Sequence, residues 1–169
     1  MQKKAAHRLR PLRRLATAVL LAAFSAAAQA QIVEHLLEPT DLANARAALE
    51  DSIVAEGLMP ASVSEFGDML KRTAADLGHP ADIYRDAVIL TFCSAQVAGR
   101  MTSENPRHIA LCPLSMALYN LPSEPQRVYL TYRLPATGTP GGAQAEALLG
   151  RIARRTAESL GLDGHRTIH

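Results

Sequence analysis

Asp86-Ala87-Val88-Ile89-Leu90-Thr91-Phe92 is an unbroken, largely apolar run that ends against Cys93. It is too short for a core helix and rich in β-branched side chains, so it reads as a buried strand. Downstream, Ser94 to Ser103 has helical spacing, and Asn105-Pro106 restarts a second short helix, with Asn as N-cap and Pro at the first position. Leu114 to Leu121 and Arg127 to Arg133 are two further strands. In the second, Val128, Leu130 and Tyr132 alternate with Tyr129, Thr131 and Arg133, and Pro122 to Gln126 makes a hairpin turn between them.

Upstream of the run, Ile32 to Leu37 reads as a strand stopped by Pro39. Thr40 is then expected to cap a helix carrying Leu42, Ala45, Leu49 and Ile53, closed by Gly57. Leu58 to Ala61 is a short strand. Ser62-Val63-Ser64-Glu65 has the S-x-x-E pattern of a capping box, followed by Phe66, Met69, Leu70, Ala74 and Leu77 on one helical face and by Gly78 as a stop. After the second hairpin strand, Thr137 to Gly142 reads as a Pro/Gly linker. Ala145, Leu148, Leu149, Ile152 and Leu160 mark a last amphipathic helix, and Gly161 to His169 carries no periodic signal.

The first 30 residues have a different character. Lys3, Lys4, Arg8, Arg10, Arg13 and Arg14 precede the apolar and small residues of Leu15 to Ala28, and Ala28-Gln29-Ala30 supplies an A-x-A cleavage site. That order is expected of a secretory signal peptide cut near Ala30, with export to the periplasm or the medium by the Sec route, and Arg13-Arg14 leaves twin-arginine export as the alternative. The apolar run is shorter than the ~20 residues that span a bilayer, so no membrane span is expected after its removal. The whole chain has 18 basic and 16 acidic residues, a formal +2. Without the leader, twelve basic residues face sixteen acidic ones, a net −4, and Lys71 is the one lysine left. A net-negative domain has no electrostatic footprint for phosphate backbones, and nucleic acid is excluded as a partner on that ground.

Val88 to Cys93, Asn105-Pro106, Ala110-Leu-Cys-Pro-Leu114, Ala117-Leu-Tyr119 and Val128 to Tyr132 together resemble the family called domain of unknown function 302. The helix ending Ala75-Asp-Leu-Gly78 is similar to the upstream half of that family. The resemblance implies an α+β fold, an antiparallel sheet with helices packed on one face, similar to a single copy of the TATA-binding-protein fold and often a homodimer. It carries no catalytic residue across, because the family has no established catalytic set. The chain departs from the common pattern in its leader and in Cys93 and Cys112. Residues 1–30 are thus expected to be a signal peptide, 31–136 the α+β domain, and 137–169 a linker, a C-terminal helix and a frayed tail.

Two cysteines in an exported chain are first a disulfide candidate. A thiol-dependent redox or sulfur-handling role, with Cys93 reactive at a helix start and Cys112 resolving, is the alternative. A copper(I) set of Cys93, Cys112 and His108 with Met101 or Met116 is the third reading, and no metal or other cofactor is expected. No nucleophile elbow, Walker loop or dinucleotide fingerprint is present. A non-catalytic module binding a small molecule or a protein is therefore expected ahead of an enzyme. Arg107, His108, Tyr119, Tyr129 and Tyr132 are the candidate ligand-facing side chains. A sheet face left open by one-sided helices motivates a homodimer.

Overall fold

A computed structural model describes residues 31–162 and the backbone of 167–168; the leader expected at 1–30 lies outside the described residues. Strand β1 (Ile32–Leu37) leads into α1 (Leu42–Ala55), then β2 (Pro60–Ser64), α2 (Phe66–Leu77) and β3 (Asp86–Phe92). Helix α3 (Ala95–Glu104) and a 3-10 helix (Pro106–Leu111) follow, then the hairpin β4 (Leu114–Leu121) and β5 (Glu124–Arg133), α4 (Pro140–Ser159) and the two-residue β6 (Thr167–Ile168). The strands form one antiparallel sheet in the order β2-β3-β4-β5-β1-β6. The fold is α+β with an antiparallel sheet, as the family resemblance implies.

Strand alternation sorts the sheet into two faces. Val33 and Leu37 of β1, Val88, Leu90 and Phe92 of β3, Leu114, Met116 and Leu118 of β4, and Val128, Leu130 and Tyr132 of β5 are buried on one of them. Leu49 and Ile53 of α1, Val97 and Met101 of α3, and Leu148, Leu149 and Ile152 of α4 close over that face to make the core. Register partners on the second face, such as Tyr119 and Tyr129, are half-buried. Helix α2 stands at the sheet margin and packs on β3. A Cβ at Gly67 would lie 2.8 Å from the Ala87 amide nitrogen, so this close approach requires glycine.

The helix termini differ from the expected ones in informative ways. Asp41, not Thr40, caps α1: its carboxylate accepts the Asn44 N–H at 2.8 Å, while the Thr40 N–H is spent on Gln126 O of β5. Ser62 to Ser64 does not form a capping box, because those residues pair with β3 and α2 starts only at Phe66. Pairing with a strand outcompetes a local cap there. Gly78 closes α2 as the sequence predicts, and it does so in the left-handed conformation.

The Pro/Gly stretch is not a free linker. Thr139 caps α4, Pro140 occupies its first turn, and Gly141 and Gly142 are buried helical residues. A Cβ at Gly141 would stand 2.9 Å from Met101 N, so the glycine lets α4 approach the α3 backbone. The Gly141 N–H donates to Glu104 Oε1 and Oε2 at 2.9 and 3.1 Å. Helix α4 supplies core residues from Ala145 to Ala157, which makes it part of the same body as the sheet. The tail expected to be frayed contributes β6, paired with Glu34 and His35 of β1.

Candidate functional site

Strand directions bring the starts of α1, α2 and β3 and the β4–β5 turn to one end of the sheet, since Asp86 pairs with Asn120 and Phe92 with Leu114. A cavity of about 420 Å³ opens there. Val88 and Asn120 line its floor, and Asp41, Arg46, Glu65, Asp68, Arg85 and Asp86 form its walls. Its size is that of small-molecule sites, and both signs of charge face the same space.

Asn120 organises this end. It is 3% exposed and belongs to the inward register of β4, after Leu114, Met116 and Leu118. A β-bulge interrupts the β4–β5 ladder between Tyr119 and Leu121. The Asn120 side chain reaches both neighbouring strands: Nδ2 donates to Pro125 O of β5 at 3.4 Å beside the bulge, and Oδ1 accepts the N–H of Asp86 at the start of β3 at 2.9 Å. Its own carbonyl accepts the Arg85 N–H at 3.0 Å. One buried amide thus ties β4 to β3 and, beside the bulge, to β5.

The two guanidiniums on the walls are held differently. Arg46 donates from Nε to Glu50 at 2.9 Å and from Nη1 to Glu65 at 2.8 Å, tying α1 to the start of α2. Those carboxylates, Glu50 first, raise its pKa against the opposing effect of burial. Arg85 is loosely held, its Nε 3.6 Å from Asp86 Oδ2. Lys71 donates to Arg85 O at 2.6 Å and stands 3.8 Å from Asp86 and 3.9 Å from Asp68. Such long, exposed pairs contribute little to stability, so a ligand can re-pair them cheaply.

The five ligand-facing candidates do not gather in one place. Tyr119 and Tyr129 stack across β4 and β5 on the second face, centroids 5.0 Å apart, with Tyr84 5.2 Å from Tyr119. Their hydroxyls are committed at 2.7 Å to Glu34 and Glu124, respectively. Burial, then the Glu34 bond, pushes the Tyr119 hydroxyl far above its ordinary pKa. The Tyr129 hydroxyl, followed by Arg127, holds the Glu124 carboxyl below its usual range.

Tyr132 is turned the other way, into the core, where it stacks on His35 at 5.8 Å and is 7% exposed. The alternation of β5 separates Tyr129 from Tyr132, so the three tyrosines do not share one surface. Arg107 and His108 lie on the 3-10 helix. Arg107 is exposed, whereas the His108 Nδ1–H donates to Met101 O at 2.9 Å and serves to hold that helix against α3.

The sequence does not single out Arg46, Arg85 or Asn120, although it carries a signal for one of them. Asn120 is the polar residue in the inward register of β4, and a buried amide in that position must find partners. Cys93 and Cys112 stand at the other end of the sheet as free thiols, Cys93 exposed and Cys112 half-buried. Among the described residues, no cluster of three or more His, Cys, Asp or Glu is arranged to hold a metal, and no helix is long and apolar enough to cross a membrane.

No curated protein matches the chain. A crystal structure of an uncharacterized conserved DUF302 protein from Bacillus stearothermophilus is similar in fold, with a TM-score of 0.50 and 22% identity over 76% of this chain and 96% of that one. The family described as domain of unknown function DUF302 matches residues 34–161, from β1 through α4, and the chain belongs to that family.

Proposed function

We propose that the protein is an exported, non-catalytic binding module whose ligand is a small molecule carrying both a cationic and an anionic group. The observation that carries this reading is the cavity at the start of β3, where Arg46 and Arg85 face the same space as Asp41, Asp68 and Asp86. A carboxylate on the ligand pairs with the loosely held Arg85 guanidinium in the planar geometry that arginine favours. A ligand ammonium then replaces Arg85 beside Asp86. The buried Asn120 amide fixes the floor, so the site is organised before a ligand arrives.

Amide chemical shifts test this directly, with free zwitterionic amino acids as probes and acetate and methylammonium as single-charge controls. Saturable shifts at Arg85, Asp86, Ala87 and Asn120 with the zwitterions, lost in Arg85→Gln, are the expected result. Absence of saturation with every zwitterion, or equal response in Arg85→Gln, overturns the reading.

Export enters the proposal through the leader, and its test is the N-terminal residue of protein recovered from the periplasm, expected at Gln31. Self-association enters through the second face. Glu34 and Arg133 lie on that face with Leu36, Ile89, Ala117 and the exposed Ile32, so a two-fold copy can set opposite charges across an apolar strip. Light scattering is expected to give twice the chain mass, and a monomer at high concentration removes this part of the proposal.

A further inference from the structure

The rung that ends the β3–β4 ladder is Phe92 opposite Leu114. Cys93 follows Phe92 directly, and Cys112 is separated from Leu114 by Pro113 alone. Between the two cysteines the chain leaves the sheet as α3 and returns as the 3-10 helix, carrying Val97 and Met101 into the core. The cysteines are therefore the departure and return points of one excursion. Continuing the Phe92–Leu114 register by one step sets Cys93 opposite Pro113, one residue from Cys112, on strands ~4.8 Å apart, so the two positions are diagonal neighbours on the scale that a disulfide spans. The thiols are also close enough to interact: burial first, and the nearby Cys93 second, push the Cys112 thiol up.

We propose that Cys93 and Cys112 are an intramolecular disulfide pair with a fixed order of reaction, Cys93 meeting the oxidant and Cys112 closing the bond. The asymmetry is one of access. Cys93 is exposed, at the cap side of α3, and Cys112 is half-buried at the end of the 3-10 helix. The oxidant is a disulfide, either a small molecule or an oxidised dithiol protein of the export compartment.

In the first step the Cys93 thiol gives up its proton and its sulfur attacks one sulfur of the oxidant, releasing the other as a thiolate. In the second, deprotonated Cys112 attacks Cys93 Sγ and expels the remaining oxidant sulfur as a thiolate. Two protein thiols are oxidised to one disulfide, the oxidant disulfide is reduced to two thiols, and the two protons released neutralise the two thiolates. The finished bond ties both ends of the excursion to the sheet.

Glutathione disulfide added to the reduced, folded full chain is the test, followed by intact mass and alkylation. The unsubstituted protein is expected to end two hydrogens lighter, without an adduct, closed to alkylation and with a melting temperature raised by about 10 °C. Cys112→Ser is expected to stop at one glutathione adduct on Cys93. Cys93→Ser is expected to acquire its adduct roughly tenfold more slowly. Two thiols still open to alkylation in the treated protein overturn the pairing, whether or not the variants fold. Equal adduct rates in the two single variants overturn the order.

Discussion

The two ends of the sheet are built on opposite plans. At the charged end, β3 begins beside α1, α2 and the β4–β5 turn, and separate segments are held by non-covalent ties: Asn120 to Asp86 and Pro125, Arg46 to Glu65, and Thr40 to Gln126. At the cysteine end a single stretch, residues 94–111, leaves and rejoins the same two strands. The first plan makes a cavity, because several elements converge without filling the space between them. The second makes an excursion with two thiols at its base and the α4 N-terminus against its far end. A binding site and a staple are what these two plans are suited to, and their independence can be tested.

The largest effect is expected at the cysteine end. Reducing the oxidised protein opens a loop of about 20 residues and should cost about 3 kcal/mol in the chain-entropy account. Urea titration with and without reductant measures it. The comparison predicts more: ligand-induced shifts at Arg85 and Asp86 should be the same in both states. A ligand response that vanishes on reduction would mean that the two ends are coupled and the contrast is wrong.

The charged end has its own breaking point in Asn120. Asn120→Leu fits the inward apolar register of β4 but leaves the Asp86 N–H and the Pro125 carbonyl without their partner. Stranding buried polar groups costs about 1–3 kcal/mol each, offset by the burial of the new side chain, so a net loss of about 2 kcal/mol is expected. Zwitterion binding should fall with it, while disulfide formation by glutathione disulfide continues at the original rate. Unchanged stability in Asn120→Leu would show that the bulge is held by something other than this amide.

How far each end could be read from sequence follows from the same contrast. The cysteine end is legible because its chemistry sits in one stretch: a buried run, an Asn-Pro restart and two thiols bracket the excursion in order. The charged end draws on Asp41, Arg46, Glu65, Arg85 and Asn120, which are distant in the chain and individually ordinary. No local pattern joins them; only strand register does. Where the reading failed, long-range packing overrode a sound local signal. Ser62-x-x-Glu65 has the form of a cap, but β3 offers Ser62 and Ser64 strand partners. Thr137 to Gly142 has the composition of a linker, but its Gly141 brings α4 onto Met101.

That approach of α4 to α3 is the next test of how the excursion is held. Gly141→Ala places a Cβ within 3.0 Å of Met101 backbone atoms and 2.7 Å from Glu104 Oε2. Overpacking of this kind costs typically about 1–3 kcal/mol, and about 1.5 kcal/mol is expected here. Because the helix end moves rather than the strand ends, the Cys93–Cys112 bond should still form. A stability equal to that of the unsubstituted chain would show that α4 docks with slack, and that the base of the excursion is its only firm attachment.

The smallest effect isolates a single charge at the far end of the excursion. Glu104 accepts from the Gly141 N–H and from Arg100 Nε at 3.1 Å, and stands at the N-terminus of α4. Thr139, then Gly141 and Arg100, favour its ionised form and hold its pKa below the ordinary 4.5. A carboxyl with a lower pKa in the folded than in the unfolded chain stabilises the fold above the unfolded value. That contribution fades as the pH falls from about 4.5 through the depressed folded value. Glu104→Gln keeps the shape and an acceptor but has no charge to lose. Its urea midpoint should therefore lie below that of the unsubstituted protein at about pH 7, with the gap narrowing as the pH drops to about 3. Parallel profiles across that range would show that Glu104 acts by shape alone, and that the α3–α4 contact rests on the Gly141 approach rather than on charge.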